Sequence, residues 1–226
     1  MKIKRYKGVS LVEMLITIVI LTTVMLLVTV TLTTLIRTSA VTNARTTARQ
    51  ESEFVLELIR RNIRNSHTED IIIYNVANRA FNETTGKLED TGAVTGYSTP
   101  ALEGAVGNVI HFRPNGYHRW ICIGYFPKTD DAEKGYFVKS SYSNNDTPSE
   151  CLNGNNSEYS QNALVLNSKE VYGSQFDISY YSTPNGNKLM TIAVTMASIY
   201  DMSFSRNVKP VYYKQALIST QKLTWE

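Results

Sequence analysis

From Met14 to Ile36 the chain runs for 23 residues without a charge. A helix rises ~1.5 Å per residue and needs ~20 apolar residues to cross a bilayer, so this run is long enough. A basic stub (Lys2, Lys4, Arg5, Lys7) precedes it and ends at Gly8. Positive charge marks the cytoplasmic flank of a membrane helix, which sets its orientation. One acid, Glu13, stands in the apolar segment. A carboxylate there costs a few kcal/mol unless it is paired, so by default it marks a function. A plain anchor tolerating one interfacial acid is the competing reading. A secretory signal peptide fits less well, because its apolar region spans about 7–15 residues and ends in a small-residue cut site. Here the run is longer, and Thr38-Ser39-Ala40 is only a loose match to such a site.

Lys7-Gly8-Val9-Ser10-Leu11-Val12-Glu13, with the basic stub before it and the apolar span after it, resembles the cleavage and methylation segment of type IV prepilins and type II secretion pseudopilins. The resemblance implies cleavage after Gly8 by prepilin peptidase, methylation of the new terminus at Val9, and an assembly role for Glu13 as the fifth mature residue. Val9 departs from the family, which usually places Phe there. The electrostatics agree. Cleavage leaves an α-amino cation at Val9 on the end of an apolar helix, where neither it nor Glu13 is cheaply left alone. Helices stacked with an axial stagger bring Glu13 of one subunit to the Val9 amine of the next, and such a pair sets register.

Four of the 23 basic residues lie in the leader, so 19 stand against 20 acidic residues beyond it. The stretch Arg37–Ser66 is basic and His67–Glu226 is acidic, a balance unlike that of a general polyanion binder. Apolar residues at Val41, Ala44, Ala48, Val55, Ile59 and Ile63 recur at helical spacings, with Phe54 and Leu58 widening the stripe. No Pro or Gly interrupts Val9–Ser66, so one helix of ~85 Å is expected. Its weak stretch is Thr29–Thr34, whose β-branched residues favour bending or local melting there.

After His67 the period changes to two, with turn residues between runs. Asp70–Val76 reads as a first strand, and Phe81–Gly107 as a long loop. Val109–Arg113 and Tyr117–Phe126 flank Asn115-Gly116; a two-residue turn there pairs Phe112 with Arg119 and Ile110 with Ile121. Ile110, Phe112, Ile121 and Ile123 then share a core face, with His111, Arg113, His118, Trp120 and Cys122 on the other. A second hairpin runs Gln175–Ser182 and Lys188–Ala197. Matching its apolar faces favours a three-residue loop, Asn185-Gly186-Asn187, pairing Tyr180 with Ile192, Ile178 with Val194 and Phe176 with Met196. Val211–Leu223 reads as the last strand.

The expected architecture is α+β: a long N-terminal helix packed on an antiparallel sheet, pilin-like. Its parts are a leader (1–8), a membrane and assembly helix (9–36), an amphipathic helix (37–66) and an extracytoplasmic β-rich domain (67–226). Phe176-Asp177-Ile178-Ser179-Tyr180-Tyr181, the Asn-Gly turn and Thr191-Ile192-Ala193-Val194-Thr195 resemble minor pilins and J-type pseudopilins. That likeness implies a minor subunit that primes or builds a pilus; a pseudopilin of a secretion or DNA-uptake apparatus shares the same fold and processing. The implied partners are prepilin peptidase, other pilin subunits and the membrane that holds the precursor. The implied location is the membrane, then a surface filament or an envelope pseudopilus.

Cys122 and Cys151 lie beyond the membrane segment, where an even count favours a disulfide. Closing ~30 residues stabilises by roughly 3–4 kcal/mol on the chain-entropy model. His111 and His118 lack a third metal ligand at matching spacing. Asp130-Asp131-Ala132-Glu133 and Asn144-Asn145-Asp146 miss the calcium-loop pattern and read as solvated turns. No cofactor motif and no nucleophile–base pair is recognisable, so no enzyme is expected. Arg206, Lys209, Tyr212, Tyr213 and Lys214 interleave cations with aromatics, a composition suited to a single strand of nucleic acid or an anionic surface polymer at a filament tip. Lysines also guard exposed edge strands, which is the plainer reading of this stretch.

Overall fold

The computed structural model describes residues 10–95, 99–142, 163–198 and 211–220. The chain divides into two units, Met1–Asn43 and Ala44–Glu226. One helix, α1 (Leu11–Arg64), contributes to both. It passes Thr29–Thr34 without a break, so the expected local melting is absent. The hydroxyls stay within the helix. Thr29 donates to the Met25 carbonyl at 2.8 Å, Thr33 to Thr29 at 2.9 Å and Thr34 to Val30 at 2.8 Å. Each threonine satisfies itself on the preceding turn and asks nothing of its surroundings.

Among the described residues of the second unit ten strands form one sheet: β1 (Ser66–Tyr74), β2 (Ala77–Asn82), β3 (Lys87–Thr95), β4 (Val109–Pro114), β5 (Trp120–Lys128), β6 (Asp131–Tyr142), β7 (Leu164–Val165), β8 (Val171–Ser182), β9 (Lys188–Ser198) and β10 (Val211–Ser219). The main path is β1-β4-β5-β6-β8-β9-β10, antiparallel throughout. Ala44, Ala48, Val55, Leu56, Ile59 and Ile63 of α1 are buried, and all but Ala44 join the sheet core of Ile110, Phe112, Ile123, Phe137, Ile178 and Ile192. The helix stripe is therefore as expected at five of its positions. Phe54 is exposed, and Leu56 takes its place in the core. Stepping by three and four from Ser52 reaches Val55, Leu56, Ile59 and Ile63 but passes Phe54 by.

The opposite face of the sheet is also covered. Tyr74, Phe81, Leu88, Val109, Trp120, Cys122, Phe126 and Tyr136 make a second cluster there. Phe81 and Leu88 come from β2 and β3, a hairpin that begins at Ala77 and runs into the stretch from Phe81 expected to be a loop. The hairpin hangs on a part-buried ion pair, with the buried Arg79 Nη2 2.7 Å from Asp90 Oδ1, and on Asn82 Oδ1, which accepts from Thr84 N and Thr85 N. These are local polar devices, which alternation of apolar residues does not report. Covering that face buries His111 completely, its ring 4.6 Å from that of Tyr74. His118 is exposed in the β4–β5 turn, so the two histidines do not share a site. Asp131, expected in a solvated turn, begins β6.

Both expected hairpins form, each slipped by two in register sum. Phe112 pairs with Ile121 and Ile110 with Ile123, although the Pro114–Tyr117 turn closes around Asn115-Gly116 with Tyr117 N donating to Pro114 O at 3.0 Å. Residues between that turn and Trp120 take up the difference. In the second hairpin Tyr180 pairs with Met190, Ile178 with Ile192 and Phe176 with Val194. Thr183 and Asn187 close it, with Thr183 N donating to Asn187 O at 2.8 Å, so the three loop residues are Pro184, Asn185 and Gly186. An even slip preserves which side chains face the core.

Candidate processing and assembly site

Chain direction and capping place Glu13 at the start of α1. Ser10 precedes the first helical residue and accepts from Glu13 N through Oγ at 3.3 Å. Glu13 Oε2 accepts in return from Ser10 N at 3.0 Å. This reciprocal pair is a capping box, and it satisfies two donors that the first turn would otherwise leave open. The Ser-x-x-Glu spacing carries that signal in the sequence, but Ser10 is not among the expected site residues. Gly8 and Val9 lie outside the described residues. Behind Glu13 every residue from Leu11 to Ile36 is exposed in this single chain, and Glu13 is their only charge. The apolar stretch reaches a mean hydropathy of 2.7, long and apolar enough to cross a membrane.

The arrangement offers one carboxylate at the end of an apolar rod. Its present partner is neutral and within its own chain. That bond is already charge-assisted, and a cation brought close would add the attraction of a full opposite charge.

Cys122 is disulfide-bonded and fully buried, cross-strand from His111 and Ser140. Cys151 lies outside the described residues. So do Arg206 and Lys209. The remainder of the cation–aromatic stretch does not gather on one surface. Along β10, Tyr212 and Lys214 share the face that packs toward α1, and Tyr213 faces away. Lys214 Nζ reaches Glu53 Oε1 at 3.0 Å, and Arg49 Nε reaches the same oxygen at 3.0 Å. Hydrogen bonds from Lys214 and then Arg49 hold the Glu53 carboxyl below its ordinary range. This clamp between helix and last strand was not read from the sequence, because its partners lie 161 positions apart.

Among the described residues no group of three His, Cys, Asp or Glu side chains is placed to hold a metal. A helix with an apolar, singly charged head, continued into a domain that packs it on an antiparallel sheet, defines an anchored α+β subunit. The prokaryotic N-terminal methylation motif matches residues 3–29, spanning the basic stub, Gly8, Val9 and Glu13. With the fold, that motif supports a protein of the type IV prepilin and pseudopilin kind. No curated protein and no solved structure matches the chain. The motif implies processing by prepilin peptidase and assembly with other pilin subunits. Motif and helix together fit a structural protein made as a membrane-anchored precursor that assembles into a surface filament.

Proposed function

We propose that the chain is a structural minor pilin that primes or builds a type IV pilus. The peptidase cuts after Gly8, residues 1–8 leave, and Val9 becomes the methylated terminus. Residues 9–36 hold the precursor in the membrane and later form the filament core. Residues 37–66 carry the helix onto the extracytoplasmic domain, 67–226. Glu13 meets the Val9 amine of a neighbour and fixes the axial register. The observation that carries this reading is the exposed apolar helix whose single charge is satisfied by its own cap. Cys151, the only other cysteine of the sequence, is the partner we propose for Cys122.

N-terminal mass spectrometry of protein from sheared surface filaments and from membranes tests the reading. A filament-borne chain beginning at N-methyl-Val9 supports it. The same terminus confined to membranes supports a pseudopilin of a secretion or DNA-uptake apparatus instead. A chain beginning at Met1, or after Ala40, refutes both. A tip-binding role at Arg206, Lys209, Tyr212, Tyr213 and Lys214 has less support, since Lys214 is engaged by Glu53 and Tyr213 faces away from Tyr212.

A further inference from the structure

We propose that the outer edge of β10 docks an extended segment of a partner protein, one apolar at alternate positions and bearing a carboxylate that meets Arg64. The surface is distinct from the assembly helix, so the inference does not rest on the filament reading. β10 pairs with β9 through nine successive residues, Val211 to Ser219, with no register shift. Among the described residues β9 is its only strand neighbour. Among the described residues no strand pairs with its far side, whose alternating N–H and C=O groups are the template for adding a strand.

Edge strands are ordinarily blunted by a bulge, a proline or an outward lysine. β10 has no bulge and no proline. Its one cation, Lys214, is turned to Glu53 of α1 and does not guard the edge. On the outward face stand Val211, Tyr213 and Leu217, which are 54%, 57% and 65% exposed. Alternate apolar side chains beside open backbone groups are the two elements that strand addition uses, the backbone for affinity and the side chains for selectivity.

The charge at the end of this edge decides what kind of segment fits. Leu217, Ile218, Ser219 and Thr220 line a cleft of about 570 Å³ together with Arg64 and with Asn187 of the β8–β9 loop. Arg64 is exposed in the last turn of α1 and makes no ion pair among the described residues. A carboxylate placed there gains a charge-assisted hydrogen bond. β10 itself contains no acid, so a second copy pairing through β10 brings no counter-charge to Arg64. A different chain, with alternating apolar residues and an acid, does.

The test uses the full chain in detergent micelles and a synthetic peptide that alternates threonine with valine and ends in glutamate. A lysine-ended peptide is the control. Titration by fluorescence anisotropy, with amide exchange read along β10, should show the glutamate peptide binding and slowing exchange in β10. Leu217→Lys, which places a charge on the edge, should weaken binding roughly tenfold, about 1.4 kcal/mol. Arg64→Glu should do the same and reverse the preference to the lysine-ended peptide. Leu217 is exposed, so its variant should keep its thermal midpoint; Tyr213→Lys serves if it does not. Binding that is absent, or unaffected by these variants, overturns the proposal. Concentration-dependent dimers abolished by Leu217→Lys overturn it in favour of a second copy. Binding seen only after removal of residues 221–226 overturns it in favour of the chain's own end.

Discussion

Tyr125 concentrates the consequences of packing at one residue. Its side chain lies where a Cβ on Gly135 would stand, and its hydroxyl donates to the Gly173 carbonyl at 3.3 Å. Gly135 and Gly173 face each other at the single pairing between β6 and β8, so two glycines let aromatic rings lie across the joint. Burial first, and then the charge of Asp131, pushes the Tyr125 phenol up to about 12. An unfolded tyrosine titrates near 10. Between those values the folded chain keeps a proton that the unfolded chain has lost, so stability falls as pH rises through the window. Below about pH 10 the contribution is fully present. Tyr125→Phe should flatten that alkaline decline, and urea midpoints measured across the window read it. Lys188 acts with the opposite sign. Burial lowers its ammonium below the ordinary lysine range, although Nζ donates to Ile71 O at 2.8 Å. Unfolded lysine binds its proton more tightly, so this term adds stability as pH climbs toward the ordinary lysine value near 10.4.

At the scale of elements, the buried stripe of α1 is the part most open to a direct test. Ile59 is fully buried between helix and sheet. Ile59→Ala should cost about 2–5 kcal/mol, because the lost transfer energy and the cavity add. Chemical denaturation of the extracytoplasmic unit within the full chain measures it. The disulfide is the second test. Cys151→Ser should lower stability by about 3–4 kcal/mol if Cys151 is the partner of Cys122, and should leave a free thiol at Cys122 detectable by alkylation after unfolding. The stripe and the strand faces were legible because burial imposes periods of 3.6 and two. Hairpin register was legible only to its parity. The closing contact of Thr183 with Asn187 depends on a hydroxyl that accepts from Asn187 N and donates to Asn187 O, and apolar pattern is blind to it. β2 and β3 went unread because Arg79–Asp90 and the Asn82 turn hold them rather than an alternating stripe. β6 went unread throughout, and at its start Asp130-Asp131 resembles a turn, whereas the strand pairs with β5 as far as Asp131.

For the whole molecule, the division of labour runs along the chain. The anchor and its single acid were legible from charge spacing alone, and Glu13 is the position on which assembly should turn. Glu13→Ala should leave membrane insertion intact and abolish incorporation into filaments, read by comparing membrane and sheared fractions. Ser10→Ala removes only the neutral half of the cap, so it should leave incorporation far less affected than Glu13→Ala. The threonines of the span have a further effect. Thr17, Thr22, Thr23, Thr29, Thr31, Thr33 and Thr34 all turn their hydroxyls back onto their own helix. Such a helix enters lipid without seeking polar neighbours, yet it is less oily than a leucine helix of equal length. A membrane therefore grips this helix more loosely than it would a fully aliphatic one of equal length.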